Sequence, residues 1–145
     1  MDINFQRPRG PIVSRFVLRS KPMADTFMLI GSLAGFLGVA AGAFGAHGLR
    51  NRVSPEMLAV FETAVRYQMY HAFGLLITAA IVGRAGDARL LSLAGWSFIT
   101  GVVLFSGSLY ALALTGVSGL GAVTPVGGLA FLLGWACLAI FAAAR

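Results

Sequence analysis

From Leu90 to Ala144 the chain contains no Asp, Glu, Lys, Arg or His. A hydrocarbon core of about 30 Å is crossed by roughly 20 apolar residues in a helix, so this run is long enough to cross twice. Glycine and proline interrupt it at "TGVSGLGAVTP", Thr115 to Pro125, where the chain is expected to turn. Two shorter stretches are similar: Thr26 to Ala46 carries no charged residue, and Tyr67 to Gly83 none apart from the titratable His71. Four spans are therefore expected, at about 26–47, 67–84, 90–115 and 124–143. The predicted fold is all-α, a four-helix transmembrane bundle over residues 23–145, with the lipid bilayer as its surroundings.

The net charge of +6 would suit a nucleic-acid binder, but the arginines flank the spans, which is the ordinary mark of membrane topology. No nucleic acid is expected as a partner. With four spans, the N-terminal tail (Arg7, Arg9, Arg15, Arg19, Lys21), the second loop (Arg84, Arg89) and Arg145 share one face. Arg50, Arg52 and Arg66 lie on the other. This imbalance predicts that both termini are cytoplasmic. Residues 1–22 read as a basic extension, either a cytoplasmic tail or sequence upstream of a start at Met23; counted from Met23, the two faces carry equal charge.

The first loop has a pattern of its own. In "SPEMLAVFETAVRYQMYHAF", Ser54 suits an N-cap, Pro55 the first helical position and Glu56 the positive helix end. Glu62 and Arg66 have the spacing of an i,i+4 ion pair. An amphipathic interfacial helix leading into the second span is expected here.

Gly31, Gly35, Gly38, Gly42 and Gly45 recur at spacings of 4, 3, 4 and 3 and should share one face of the first span. Small residues let helix backbones approach closely in lipid, so these five, with Gly127 and Gly134 of the fourth span, are the expected packing positions. Thr124 and Pro125 are expected to open that fourth helix.

An up-and-down path brings the end of the first span, the start of the second, the end of the third and the start of the fourth to one side of the membrane. His47, Tyr67, His71, Ser106, Ser108, Tyr110 and Thr124 then form a polar cluster in the periplasmic-side leaflet. Intramembrane ionisable groups tend to be functional. Each residue also has a plainer reading: His47 before Gly48 as a helix-end cap, the tyrosines as an interfacial belt, the serines as interhelical hydrogen bonders. Two histidines with only Glu56 and Glu62 nearby in sequence do not make a metal set. No serine has an acid beside it and no span contains a carboxylate, so no catalytic set and no cofactor are expected. Cys137 has no cysteine partner.

The blocks "GAFGAHGL", "YQMYHAF", "LFSGSLYALALTG" and "TPVGGLAFLLGW" resemble the small membrane proteins grouped as domain of unknown function 423, which include the animal proteins called transmembrane protein 256. The resemblance covers about 23–143. It implies a four-helix protein, of the inner (plasma) membrane in bacteria, and it brings no activity. The matching positions are His47, Tyr67, His71, Ser106, Ser108, Tyr110, Thr124, Pro125, Gly127, Gly128 and Trp135. The expected role is that of a non-enzymatic accessory or scaffold subunit, packed through its glycine faces within itself, onto a membrane-protein partner or into a homo-oligomer. The alternative is a small-solute, lipid or ion pathway through the polar cluster.

Overall fold

A computed structural model describes residues 22–144. The basic extension, apart from Pro22, and Arg145 lie outside the described residues. All regular structure described is helical. Helix α1 (Pro22–Phe44) ends in a π-helical turn, Gly45–Leu49. Helix α2 (Pro55–Ala85) follows, then α3 (Arg89–Gly101), a π turn (Val102–Ser106) and α4 (Gly107–Thr115) as one continuous rod. A 3₁₀ turn (Ser118–Ala122) leads into α5 (Thr124–Ala143). Three segments are long and apolar enough to cross a membrane: Pro22–Leu49, Arg89–Thr115 and Ser118–Ala143. Helix α2 is not among them despite its 31 residues. Glu62, Arg66, Gln68 and His71 in its first part dilute its apolar character.

Helix α2 starts as its sequence suggests. Met57 N–H donates to Ser54 Oγ at 3.3 Å, and Pro55 occupies the first turn. The helix then runs unbroken to Gly86, whose φ of 87° no side-chain-bearing residue adopts readily. The expected interfacial helix is thus no separate element but the first part of α2. Its Phe61 and Ala64 are buried in the bundle, not laid on a surface. Glu62 and Arg66 do not pair as expected: Arg66 Nε donates to the Glu62 backbone carbonyl at 3.4 Å and Nη2 to Thr63 Oγ1 at 3.2 Å.

The register of each hairpin can be read from its glycines. A Cβ on Gly31 would press on Leu75 and Leu76, one on Gly38 on Met69, and one on Gly45 on Phe61. These contacts step along α1 in one direction and along α2 in the other, so the two helices are antiparallel. In the second hairpin Gly134 lies under the Phe98 ring, Gly101 under Phe131, and Gly127 against the backbone of Phe105. Phe98 and Phe105 are seven apart, as are Gly127 and Gly134, so the Phe98 ring enters a glycine hole two turns away from where the Phe105 backbone closes on Gly127. Gly35 meets nothing within 4 Å and Gly42 only ordinary contact with Val65. The expected five-glycine face is therefore a three-glycine seam at intervals of seven.

Helix α2 is central, packing on α1 to one side and on α3, the π turn and α4 to the other. The main core joins Phe27, Leu75, Ala79, Phe98 and Phe131. A smaller one near the Leu49 end joins Leu49, Phe61 and Ala113. The outward faces of α1 and α5 expose large apolar residues, among them Phe36, Val39, Leu129 and Leu132. The burial of Gln68, His71 and Thr78 follows from the central place of α2: the helix with the most polar groups is the one the others enclose.

Candidate functional site

His71 lies at the junction of the two hairpins. The residue is 5% exposed. Trp135 Nε1–H donates to His71 Nε2 at 3.2 Å. An indole is a donor only, so Nε2 must accept and the ring proton sits on Nδ1. That Nδ1–H donates to the Tyr67 carbonyl, 2.7 Å away and one turn back. The neutral ring thus has both nitrogens engaged, and a second proton on Nε2 would face the indole N–H. Phe131 stacks on the imidazole with centroids 3.3 Å apart and planes 6° from parallel. Tyr67 stacks on Phe105 at 4.4 Å, and Phe98 meets Trp135 edge-on at 5.0 Å. Three helices thereby enclose one histidine in aromatic rings. Gly101 and Gly134 allow this by letting the Phe131 and Phe98 rings lie on bare backbone, and Gly127 by letting α5 close on the backbone of Phe105.

The predicted polar residues divide into separate groups. Tyr67 and His71 belong to the aromatic cluster, with ring centroids 6.2 Å apart. Ser108 and Thr124 share a hydrogen bond of 2.9 Å across the second hairpin, and Ser108 Oγ also donates to the Phe105 carbonyl at 3.0 Å. Thr124 is therefore no N-cap; its hydroxyl is engaged with α4. Tyr110 packs its ring on Phe61 at 4.8 Å. The Ser106 and Tyr110 hydroxyls are buried with no hydrogen-bond partner among the described residues, a state that costs on the order of 1–3 kcal/mol per group. Ser106 ends the π turn of its rod, and such turns often accompany functional positions.

His47 stands apart. It is exposed in the π turn, its side chain making no hydrogen bond or ring contact among the described residues. The hairpin register puts Gly45 beside Phe61, so His47 and His71 are separated by roughly 15–18 Å along the axis at ~1.5 Å per residue. The same register sets His71 level with the middle of α1, not at a helix end. The polar groups are spread from one end of the bundle to mid-height. Nor is Gly48 the left-handed residue that would follow a capping histidine: positive φ occurs only at Gly86 and Gly116 among the described residues. The described residues include no group of three His, Cys, Asp or Glu placed to hold a metal.

Two features escaped the sequence reading. Gln68 Nε2 donates to the Ala34 carbonyl at 2.8 Å, tying α2 to α1. The aromatic enclosure of His71 by Phe98, Phe105, Phe131 and Trp135 was also missed. The matched seven-residue spacings of Phe98 and Phe105 with Gly127 and Gly134 were its available signal.

These residues fall in a stretch with known relatives. The family described as protein of unknown function (DUF423) matches residues 41–128, a segment holding His47, Tyr67, His71, Ser106, Ser108, Tyr110 and Thr124. A UPF0382 membrane protein of Bacillus subtilis is 43% identical over 116 residues, covering 80% of this chain and 94% of its own length. One from Staphylococcus haemolyticus is 49% identical over 114 residues, covering 79% and 92%. The chain belongs to the DUF423 family. Its UPF0382 relatives are named membrane proteins, and its three long apolar helical segments fit that description. No solved structure matches it.

Proposed function

We propose that this DUF423 protein is a non-enzymatic accessory or scaffold subunit of the bacterial plasma membrane, crossing the bilayer four times with both termini cytoplasmic. The observation that carries this reading is how completely the interior is filled. His71 has both nitrogens engaged and Phe131 stacked on its face. The seam glycines are occupied by Leu75, Phe61, Phe98, Phe131 and Phe105. What remains for interaction is the outer surface, where α1 and α5 present Leu29, Phe36, Leu129 and Leu132. Helix α2 makes the fourth crossing because it is enclosed: its Gln68, His71 and Thr78 face protein, which is where polar residues in a membrane are placed.

The pathway reading is weaker, because no polar file links the Ser108–Thr124 pair to His71; Phe105 and Phe131 lie between. Reconstitution into vesicles tests the choice. The accessory reading expects no small-ion flux from the protein alone, and a membrane protein or second copy at fixed stoichiometry on purification in mild detergent. Flux abolished by His71→Phe would overturn it in favour of the pathway.

A further inference from the structure

Two interior groups take no part in the packing described above. The Ser106 and Tyr110 hydroxyls are buried without a hydrogen-bond partner among the described residues, and Ser106 is only 1% exposed. They stand at i and i+4 in the rod, a spacing that puts both on one helix face. Helical side chains lean back over the preceding turn, which carries the Tyr110 phenol toward Ser106. The two oxygens do not bond each other. Opposite this face, two ring pairs hold α2 off the rod: Tyr67 on Phe105 at 4.4 Å and Phe61 on Tyr110 at 4.8 Å. Between the pairs the side chains are small, Ser106 on the rod and the fully buried Ala64 on α2. Phe61 and Tyr67 lie about 9 Å apart along the axis at ~1.5 Å per residue. Aromatic spacers at both ends with small side chains between them leave room for a water, whose share of liquid volume is about 30 Å³.

We propose that one water molecule is bound here as a fixed part of the fold, accepting from the Tyr110 O–H and donating to Ser106 Oγ. Its second hydrogen goes to Gln68 Oε1, the acceptor left over when Gln68 Nε2 bonds the Ala34 carbonyl. Gln68 and Tyr110 border the same two hollows on the α1 side, so α2 presents that amide on the Tyr110 side of the rod. About three hydrogen bonds are usual for a buried water. A hydroxyl buried unbonded carries its full desolvation cost, and a single water relieves both. A sodium ion in its place would be a buried charge with only neutral oxygens around it, which is far costlier than a neutral molecule. The water ties the end of the π turn Val102–Ser106 to α2 and, through Gln68, to α1. It is isolated: the Tyr67–Phe105 ring pair lies between it and His71, so it is no step in a conducting file.

A crystal structure of the full-length chain, at a resolution that shows ordered water, tests the site directly. A density peak within hydrogen-bonding distance of both Ser106 Oγ and the Tyr110 hydroxyl is expected. Absence of that peak would overturn the proposal, as would anomalous signal from it once sodium is exchanged for rubidium, which would mark a cation. Unfolding in detergent gives a second readout in which the sign decides. With the water in place, Ser106→Ala and Tyr110→Phe should each lower the melting temperature by a few degrees. The double variant should lose less than the sum, because the two hydroxyls share a partner. Tyr110→Phe keeps the ring on Phe61, so its loss reports the hydroxyl and not the packing. Hydroxyls that bond nothing would behave oppositely, since each substitution would then remove an unsatisfied polar group and raise the melting temperature. Such a rise, or strictly additive losses, would overturn the proposal; the wild-type density decides it even if a variant fails to fold.

Discussion

The Trp135–His71–Tyr67 chain is the most specific polar arrangement in the molecule, since each hydrogen has one place to go. Trp135→Phe keeps an aromatic ring but removes the donor to Nε2. It should cost about 1 kcal/mol of stability in thermal or denaturant unfolding in detergent. Nitrogen chemical shifts at pH 8 should show the Nδ1–H tautomer in the wild type and a mixture in the variant. An Nε2–H tautomer in the wild type would contradict the geometry. The separation of His47 from His71 gives a second test. His47→Gln and His71→Gln should be additive within about 0.5 kcal/mol, as sites without shared partners are. Coupling well beyond that would mean that the two rings share a network after all.

Among the elements, the second hairpin is the more tightly built, because Gly127 abuts the backbone of Phe105 and not a movable side chain. Gly127→Ala should destabilise by about 1–3 kcal/mol or more, as overpacking does. Gly35→Ala, with open space around it, should be neutral or slightly stabilising. Similar losses from both would mean that seam contacts do not determine stability. At the start of α2, the Ser54 hydroxyl and the backbone hold the exposed Glu56 carboxyl below its usual range. Because the folded value lies below the unfolded one, this contact stabilises at neutral pH and is lost as pH falls through the carboxylate range. Glu56→Gln should remove that small contribution to the pH dependence of unfolding.

These helices also show what could be read in advance. The uncharged runs located α1, the α3–α4 rod and α5, and Ser54 with Pro55 marked the start of α2, because hydrophobic length and capping are local properties. The glycine spacing identified the packing face of α1 but not which members touch anything: Gly35 and Gly38 look alike until α2 supplies Met69 opposite one of them. Placing His71 required the register between hairpins, which no local pattern encodes. Its aromatic enclosure needed α3 and α5 brought to α2 as well. The histidines looked paired because both stand near predicted span ends; the unbroken length of α2 moves His71 to mid-height.

For the molecule as a whole, the organising feature is that its most polar long helix is its innermost one. Helix α2 is enclosed by α1 on one flank and by the second hairpin on the other, and the exposed apolar side chains of α1 and α5 are suited to lipid. The central claim is that α2 crosses the membrane although it is the least apolar of the long helices. The direct measurement is labelling of single cysteines at Ser54 and Asp87, on either end of α2, by an impermeant thiol reagent, with the native Cys137 replaced by alanine. The account predicts labelling from opposite sides, Ser54→Cys from the periplasm and Asp87→Cys only once the cytoplasmic face is opened. Labelling of both from the same side would contradict it.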